Sequence, residues 1–452
     1  MSLKLEILSY MVVGAVVVVP MILLNIRLAP KLGLIDWPKA RGVAEEQIPL
    51  IGHGMVLTCL AAMLLLNHFY QFSPWFITTS VFIAVMGHLD DRKPLAAMDK
   101  MGFQFFCTTA VVFLDPQIRS SIGSHYGVWG SVCAVIFLVG MMNAVNFIDG
   151  IDGLAGVVLL IGGLGFIGLC NFSNELYPQI VLASLIVGIL VPFLFFNVKL
   201  RKGFLGNVGS YFFSYTLVLM HLSIPLPSPD PISRLSLSGL CFLIPIADTL
   251  MVICSRLVTL RSPFQADKGH LHHRLIQTSI PLTWILFNFA VIEFFAFVVA
   301  ALIARKVGYI SGILPIFVAL SHILITSILI LLIEKGSRRR LQAYFQRLDT
   351  GAPIYFLKYQ FTNPDGSPIS PLTLRRLEAR VSAEIRVTDL CFRENPNTLF
   401  VTLKTMPEPL RGISSRLDTI FQAEKVVSSL VVDQGEFVKV SRAKNPFDRK
   451  SA

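Results

Sequence analysis

Residues 179–197 are QIVLASLIVGILVPFLFFN, an uninterrupted stretch without a charged side chain. A stretch of this length predicts a helix that crosses a membrane, because the hydrocarbon core requires roughly 20 apolar residues. The whole chain has the same character, with 54% hydrophobic and 15% charged residues over 452 positions. This composition excludes an ordinary soluble protein of this length.

Working outward from this stretch, the apolar runs predict an all-α polytopic membrane domain at 1–334 with eleven spans. The spans are 5–27, 50–68, 74–89, 102–116, 129–147, 154–170, 179–197, 209–226, 235–254, 283–304 and 308–333. The first run has only Lys4 before it and no small-x-small cleavage pattern, so it is expected to be a retained span. Residues 335–452 have the composition of a soluble domain.

The order of elements in this tail predicts an α+β domain. Strands are predicted at 353–361, 385–391, 398–404, 426–432 and 436–441, and helices at 371–384 and 408–424. The first six of these elements in chain order follow a βαββαβ pattern, which favours a ferredoxin-like fold. No catalytic motif stands out there.

The distribution of Lys and Arg between the loops predicts the orientation. Fourteen lie in the loops of one side and four in the loops of the other. The basic side faces the cytoplasm, so the N-terminus is expected outside and the tail inside a cell inner membrane. The net charge of +11 favours anionic lipid headgroups over nucleic acid as its partner. The seven cysteines show no CxxC spacing, which predicts buried thiols without disulfides or zinc.

Carboxylates and imidazoles gather in the loops of the cytoplasmic side. The first cluster is GHLDDRK at 87–93. The adjacent carboxylates of Asp90 and Asp91 repel each other unless they share a cation or a proton, and a divalent metal with oxygen ligands would hold them together. A charged helix stop explains the same residues. Lys100 and Gln104 follow, one helical turn apart.

The second cluster is NAVNFIDGIDGL at 143–154. Asn143, Asn146, Asp149 and Asp152 recur every three residues, so a helix or helix-like turn would place them on roughly one face. A polar seam between packed helices would explain the two asparagines, but it does not explain the two aspartates.

Two further clusters follow. FLGNVGS at 204–210 suits either backbone capture of phosphate at a helix N-terminus or a simple helix cap. Further on, Asp248 precedes Arg256, and His270, His272 and His273 lie between Lys268 and Arg274. The His spacing is poor for zinc and no Cys lies nearby, which favours a cationic pocket for a diphosphate over a metal site. An exposed His run without a role is the alternative.

In this order, the motifs resemble those of the polyprenyl-phosphate N-acetylhexosamine-1-phosphate transferases (glycosyltransferase family 4), which are related to the phospho-MurNAc-pentapeptide translocase. The resemblance runs from about residue 30 to 280 and includes Asp36-Trp37-Pro38 and Arg41. It implies ten or eleven spans, Mg²⁺ or Mn²⁺, a UDP-HexNAc donor and undecaprenyl phosphate as acceptor. The products would be UMP and a lipid-diphosphate sugar that starts a surface glycan such as lipopolysaccharide O-antigen. The resemblance leaves homodimerisation open.

The resemblance also implies roles for individual residues. Catalytic roles fall to Asp90, Asp91, Asp149 and Asp152, and metal ligands to Asp91, Asp149 and the position of Asn207. Substrate-binding roles fall to Asp36, Arg41, Lys100, Asn143, Asn146, Asp248, Arg256, His270, His272 and His273.

The sequence departs from the family pattern at two places. Asn207 stands where the family's Gly-Asp-x-Gly-Ser has a metal-binding Asp, and Gly52-His53-Gly54 replaces a Gly-Gly pair in the first loop, where Ala44-Glu45-Glu46 also replaces a basic segment. An Asn keeps one carbonyl oxygen but loses the charge, which weakens metal affinity. A catalytically degenerate lipid-linked-sugar binder or scaffold is therefore the main alternative. A secondary transporter is less favoured, since it would need charged or broken helices at mid-membrane.

Overall fold

The computed structural model describes most of the first 306 residues and four strands of the tail. The described residues are 3–36, 48–170, 176–224, 231–258, 282–306, 355–362, 377, 390–395, 398–403 and 427–430. The chain forms two compact units, one mainly before and the other mainly after residue 331. The predicted boundary at 334/335 stays a prediction.

The first unit is almost entirely helical over its described residues. Its helices are α1 (Leu3–Leu32), α2 (Gly52–Tyr70), α3 (Pro74–Arg92), α4 (Ala97–Leu114), α5 (Pro116–Ile148), α6 (Leu154–Leu169), α7 (Tyr177–Leu194), α8 (Gly206–Leu222), α9 (Pro231–Leu240), α10 (Leu243–Val258) and α11 (Leu282–Lys306). A π-helical turn, Phe195–Lys199, extends α7. Two short antiparallel strands, β1 (Ile35–Asp36) and β2 (Ile48–Pro49), follow α1.

Four described helical segments are long and apolar enough to cross a membrane. They are Leu3–Leu32, Gly52–Tyr70, Gly127–Ile148 and Tyr177–Lys199, with shorter apolar helices at Leu154–Leu169 and Leu282–Val298. This confirms a mostly helical membrane protein. The predicted span 308–333 lies outside the described residues, so the count of eleven stays a prediction.

The helices differ sharply in how much of their surface faces outward. In the apolar window of α7 72% of the residues are buried, against 22% in α1. α1 packs along α7 and exposes Val12, Val16 and Leu24 on its other side, as expected of a peripheral helix that faces lipid. α8 is buried from Val208 to Leu222 and packs against α3 and α5. Because α8 lies at the centre, its first turn can meet several neighbouring helices.

The predicted span 235–254 is wrong as a continuous helix, because the chain turns at Cys241–Phe242 between α9 and α10. Pro245 explains the break, since its ring would clash with the carbonyl of residue 241 in an unbroken helix. The first turn of α10 gains a partner from α11, where the carboxylate of Glu293 accepts the backbone N–H of Ile244 at 3.1 Å. Glu293 is fully buried.

The predicted span 129–147 is the second part of α5. This helix begins earlier, at Pro116, and changes direction at Gly127, whose φ of +53° is left-handed. A glycine tolerates this backbone conformation without steric strain. The predicted loop between the fourth and fifth spans is therefore mostly helical.

The described part of the second unit is a four-stranded antiparallel sheet. Its strands are β3 (Tyr355–Thr362), β4 (Leu390–Asn395), β5 (Thr398–Leu403) and β6 (Val427–Leu430), in the order β4-β5-β3-β6. Tyr355 pairs with Leu403 and Tyr359 with Leu430, so β3 lies between β5 and β6. The predicted strands at 353–361, 398–404 and 426–432 correspond to observed ones, whereas the predicted strand at 385–391 overlaps β4 only at residues 390 and 391. The two predicted helices and the strand at 436–441 lie outside the described residues, and the ferredoxin-like fold stays a prediction.

Candidate active site

The first turns of α2 and α8 meet the last turn of α3. A Cβ on Gly87 would lie 2.5 Å from the Cα of Val208, so only a glycine allows α3 to approach α8 this closely. The residues before α2 are held against the loop before α8, because Ile51 donates its N–H to the Phe204 carbonyl at 2.8 Å and Phe204 donates to Pro49 at 2.9 Å.

The carboxylate of Asp91 caps the N-terminus of α8. Its Oδ1 accepts the backbone N–H of Asn207 at 2.8 Å and its Oδ2 that of Val208 at 3.1 Å. Gly206 starts the helix with φ +72° and lies directly against this carboxylate. A negative charge is favoured here by the unpaired amides and by the helix dipole. In this structure these amides bind an internal carboxylate, as the helix-cap interpretation of 204–210 expects.

Asp90 points to different partners. It is buried, with 2% of its surface exposed. Its Oδ1 accepts the N–H of Leu95 at 2.8 Å and its Oδ2 accepts from the ammonium of Lys100 at 3.0 Å. The Lys100 side chain is 25% exposed, and an ammonium has three donors. In this structure the two adjacent carboxylates have separate partners, and a cation shared between them stays a prediction.

An amide cluster joins α5 to α8. The Nδ2 of Asn146 donates to Asn207 Oδ1 and to Ser210 Oγ, both at 2.8 Å. The hydroxyl of Tyr211 donates to Asn146 Oδ1 at 3.2 Å. Asn146 is therefore fixed on three sides, and Asn207 is part of the same network that Asp91 anchors.

Asn143 faces another helix. Its Nδ2 donates to Gln104 Oε1 on α4 at 2.6 Å and to the Val139 carbonyl at 2.8 Å. Gln104 is fully buried. The two asparagines thus form part of a polar seam between helices, as the packing interpretation expected.

The two aspartates of the 143–152 cluster lie just beyond the helix, and their common face with the two asparagines stays a prediction. α5 ends at Ile148, so Asp149 is the C-cap and Asp152 lies in the turn before α6. Gly153 closes the turn with φ +83°. The backbone leaves the α-helix at this point. The N–H of Asp149 bonds to the carbonyl of Asn146, only three residues back, at 3.3 Å.

Asn197, which the sequence motifs did not indicate, holds this turn in place. Its Oδ1 accepts the N–H of Gly153 at 2.5 Å, and its Nδ2 donates to the Gly203 carbonyl at 2.8 Å. It is 3% exposed. A polar amide at the end of an apolar span was the available signal, since such groups require partners.

The remaining predicted residues lie on other elements or outside the described residues. Asp36 lies in β1 opposite Ile48. Asp248 is buried in α10 with 2% of its surface exposed, and Arg256 lies near the end of the same helix. The rest of the predicted set, Arg41, His270, His272 and His273, lies outside the described residues.

His53 introduces an imidazole beside Asp91. Its Nδ1 is 3.3 Å from the Leu50 carbonyl and its Nε2 is 3.6 Å from Asp91 Oδ2. Its ring makes an edge contact with His88 on α3, with 5.2 Å between ring centroids. The departure Gly52-His53-Gly54 was noticed in the sequence, but only the fold shows that it reaches the site.

The donor atoms around the α8 N-terminus suit a hard divalent cation in chemical type. They are the carboxylate oxygens of Asp91 and the amide oxygens of Asn146 and Asn207, and such cations prefer oxygen ligands. Among the described residues, no three His, Cys, Asp or Glu side chains come close enough together to hold a metal ion. The magnesium or manganese site stays a prediction.

Comparison with known proteins places this segment in a family. Residues 73–224 match the model of glycosyl transferase family 4, and this range runs from α3 to α8. The chain is 25% identical over 260 residues to a probable undecaprenyl-phosphate N-acetylglucosaminyl 1-phosphate transferase of Bacillus subtilis, covering 55% of this chain and 72% of the relative.

Two other relatives match the chain with similar identity and coverage. The undecaprenyl-phosphate alpha-N-acetylglucosaminyl 1-phosphate transferase of Yersinia pestis is 24% identical over 262 residues, covering 56% of this chain and 72% of that protein. The Escherichia coli K12 protein of the same name is 25% identical over 263 residues, covering 56% of this chain and 71% of that protein. The matched segment contains Asp90, Asp91, the 143–152 cluster and Asn207, and these comparisons identify it as a glycosyl transferase family 4 segment, similar to proteins named undecaprenyl-phosphate N-acetylglucosaminyl 1-phosphate transferases.

Proposed function

We propose that this protein transfers an N-acetylhexosamine 1-phosphate from its UDP-sugar to undecaprenyl phosphate and releases UMP. The observation that carries the proposal is the site around the first turn of α8, inside the segment that matches the family. There Asp91 and Asn146 converge on Asn207, and the neighbouring Asp90 holds the partly exposed Lys100. The product would be the first lipid-linked intermediate of a surface glycan made on the cytoplasmic side of an inner membrane.

The reaction is a displacement at phosphorus. An oxygen of the acceptor phosphate attacks the β-phosphorus of the UDP-sugar, the bond from that phosphorus to the bridging oxygen breaks, and UMP leaves with the bridging oxygen. Such transfers depend mainly on positioning and on neutralising negative charge. Lys100 is suited to this work, because Asp90 holds its ammonium at 3.0 Å while a quarter of the side chain stays exposed.

The carboxylates of the 149–153 turn complete the proposed site. Asn197 fixes the backbone at Gly153, so that Asp149 and Asp152 project from a defined turn. We assign them, with Asn143 and Asn146, to holding the nucleotide, and Asp248, Arg256 and the 270–273 histidines to the diphosphate and sugar. Asp36 and Arg41 are assigned to the same substrates.

We further propose that Mg²⁺ or Mn²⁺ binds at Asp91 and Asp149, with the amide oxygen of Asn207 in place of a carboxylate. When bound, the ion supplies charge neutralisation on the diphosphate. The oxygen donors support this proposal by their type. The missing charge at residue 207 predicts a lower affinity than a carboxylate would give.

The proposal is tested by UMP release from the purified protein in detergent, with undecaprenyl phosphate, Mg²⁺ or Mn²⁺ and a panel of UDP-HexNAc donors. Release that requires the lipid is expected, and the donor that supports it names the sugar. Asp149→Asn is expected to abolish release while the protein remains folded by circular dichroism, whereas Asp99→Asn, an exposed carboxylate on α4, serves as the control.

Asn207→Asp is measured in parallel over a range of metal concentrations. We expect a lower metal requirement in the variant, because a carboxylate binds the cation more tightly. Activity in the variant but not in the wild-type protein would mean that the asparagine at residue 207 makes the natural protein inactive. The absence of lipid-dependent release from both proteins would overturn the proposed function in favour of a lipid-linked-sugar binder.

A further inference from the structure

A buried carboxylate lies in the middle of an apolar helix, outside the sequence motifs of the candidate active site. Glu293 is on α11, and none of its surface is exposed. Its Oε2 accepts the N–H of Ile244 at 3.1 Å, whereas its buried Oε1 has no hydrogen-bond partner among the described residues. Because an ionisable group inside a membrane span is costly, its presence indicates a role beyond filling space.

The break between α9 and α10 explains why a carboxylate lies here. The first backbone N–H groups of a helix have no partner within that helix, and the hydrocarbon core of a membrane supplies no water to bind them. α10 begins within the predicted span 235–254, and Glu293 binds its first turn. Asp248 follows Ile244 by four residues, one helical turn further along α10, and is 2% exposed. The place of Asp248 therefore depends on where Glu293 holds the start of α10.

The same face of α11 also reaches the 149–153 turn. Leu286 precedes Glu293 by seven residues, or two helical turns, so both side chains lie on one face of α11, roughly 10 Å apart along its axis. Leu286 is buried, and a Cβ on Gly153 would lie 2.9 Å from its Cδ1. Leu286 thus packs directly against the turn that carries Asp149 and Asp152. One helix contacts both elements of the candidate site.

We infer that α11 braces the candidate active site, with Glu293 and Leu286 as positioning residues that fix α10 relative to the 149–153 turn. The inference rests on the proposed function, in which the turn holds the nucleotide and Asp248 helps to bind the diphosphate and sugar. The two ends of one UDP-sugar are then bound by elements that α11 joins. Its binding is sensitive to their separation, whereas UMP, which lacks the sugar, depends on the turn.

The experiment compares three variants of α11 with one control. Glu293→Leu removes the acceptor of the Ile244 N–H, Glu293→Gln keeps an oxygen there, and Leu286→Ala withdraws the side chain from Gly153. Phe294→Leu is the matched control, since Phe294 adjoins Glu293 in the sequence and is 53% exposed. All proteins are taken from the monodisperse fraction on size exclusion, so a lower yield of Glu293→Leu does not enter the result.

Dissociation constants for the UDP-HexNAc and for UMP are measured by isothermal titration calorimetry in detergent, and KM for undecaprenyl phosphate by UMP release. Glu293→Leu is expected to weaken donor binding at least tenfold, equivalent to about 1.4 kcal/mol, without changing UMP binding or the KM for the lipid. Leu286→Ala is expected to weaken both the donor and UMP, because it acts on the turn. Glu293→Gln and Phe294→Leu should resemble wild type.

Two results would overturn the brace. They are an equal weakening of donor and UMP by Glu293→Leu, which would assign Glu293 to general stability, and donor binding by Glu293→Leu as tight as that of Phe294→Leu. If Glu293→Leu gives no monodisperse protein, Leu286→Ala decides, and unchanged donor binding in that variant would refute the brace.

The brace and the proposed function fail in distinguishable ways. Lipid-dependent UMP release by the wild type leaves the transferase intact whatever the variants bind. A wild-type protein that binds the UDP-HexNAc but releases no UMP would refute the transferase alone, and the binding comparison would still decide the brace. A wild-type protein that binds no UDP-HexNAc would refute both.

Discussion

Replacing Asp91 by Ala should destabilise the protein as well as inactivate it. The side chain is only 3% exposed, and its two oxygens accept the backbone N–H groups of Asn207 and Val208 in the first turn of α8. Removing the carboxylate leaves both amides without this partner at the start of a helix that is buried from Val208 to Leu222. A purely catalytic carboxylate would have no such effect on folding.

The expected size follows from these two bonds. A hydrogen bond to a charged group contributes about 1.5–3 kcal/mol, and a lost N-cap costs about 1 kcal/mol. Because the two effects overlap, we expect Asp91→Ala to reduce the free energy of unfolding by about 3 kcal/mol. Asp91→Asn retains one carbonyl oxygen and should lose roughly half as much.

The assay is denaturant-induced unfolding in detergent, followed by tryptophan fluorescence and circular dichroism, with UMP release measured on the same preparations. Asp99→Ala is the control for removal of an aspartate close by, because Asp99 lies exposed in the first turn of α4. An Asp91→Ala protein that is inactive but unfolds at the wild-type denaturant concentration would refute the capping role and assign Asp91 to the reaction alone.

Three further substitutions test other contacts of the site. Lys100→Met should destabilise the protein by about 3–5 kcal/mol, because it leaves the buried carboxylate of Asp90 without its cation; unfolding measurements should show partial recovery in Lys100→Arg. Asn197→Ala should reduce kcat and lower the free energy of unfolding by about 2 kcal/mol, since Gly153 loses its acceptor; an unchanged kcat would show that the turn needs no such support. Glu293→Gln retains an oxygen for the first turn of α10 and should give wild-type yields of monodisperse protein on size exclusion, whereas Glu293→Leu should give much less.

The part of the site that was predictable lies within short stretches of sequence. Asp90 and Lys100 are ten residues apart, at the end of one helix and the start of the next, so local spacing brings them together. The polar cluster at 143–152 was likewise recognisable, because amides and carboxylates in an apolar context demand partners. What the spacing could not indicate was the end of α5 at Ile148, which separates the two asparagines from the two aspartates.

The contacts that escaped prediction join distant parts of the chain. Asp91 caps a helix that starts 115 residues later, at Gly206, and no local pattern indicates such a partner. The sequence did not indicate the break between α9 and α10, because hydropathy averaged over a whole span is not changed when only Cys241 and Phe242 leave the helix. Glu293 was missed for the same reason, as one carboxylate hardly changes the mean of a 25-residue apolar helix.

Asn207 is the departure that matters most for the chemistry, and its contacts show what the substitution changes. Its Oδ1 accepts a hydrogen bond from Asn146, and an aspartate oxygen could accept the same bond. Its backbone N–H binds Asp91 whatever the side chain. The packing of α5 and α3 on α8 is therefore independent of the charge at residue 207. With an aspartate there, a second carboxylate would lie beside Asp91 and require a cation to offset the repulsion. The asparagine removes that repulsion and preserves the hydrogen bonds, so we expect the substitution to act on metal affinity rather than on the packing of these helices.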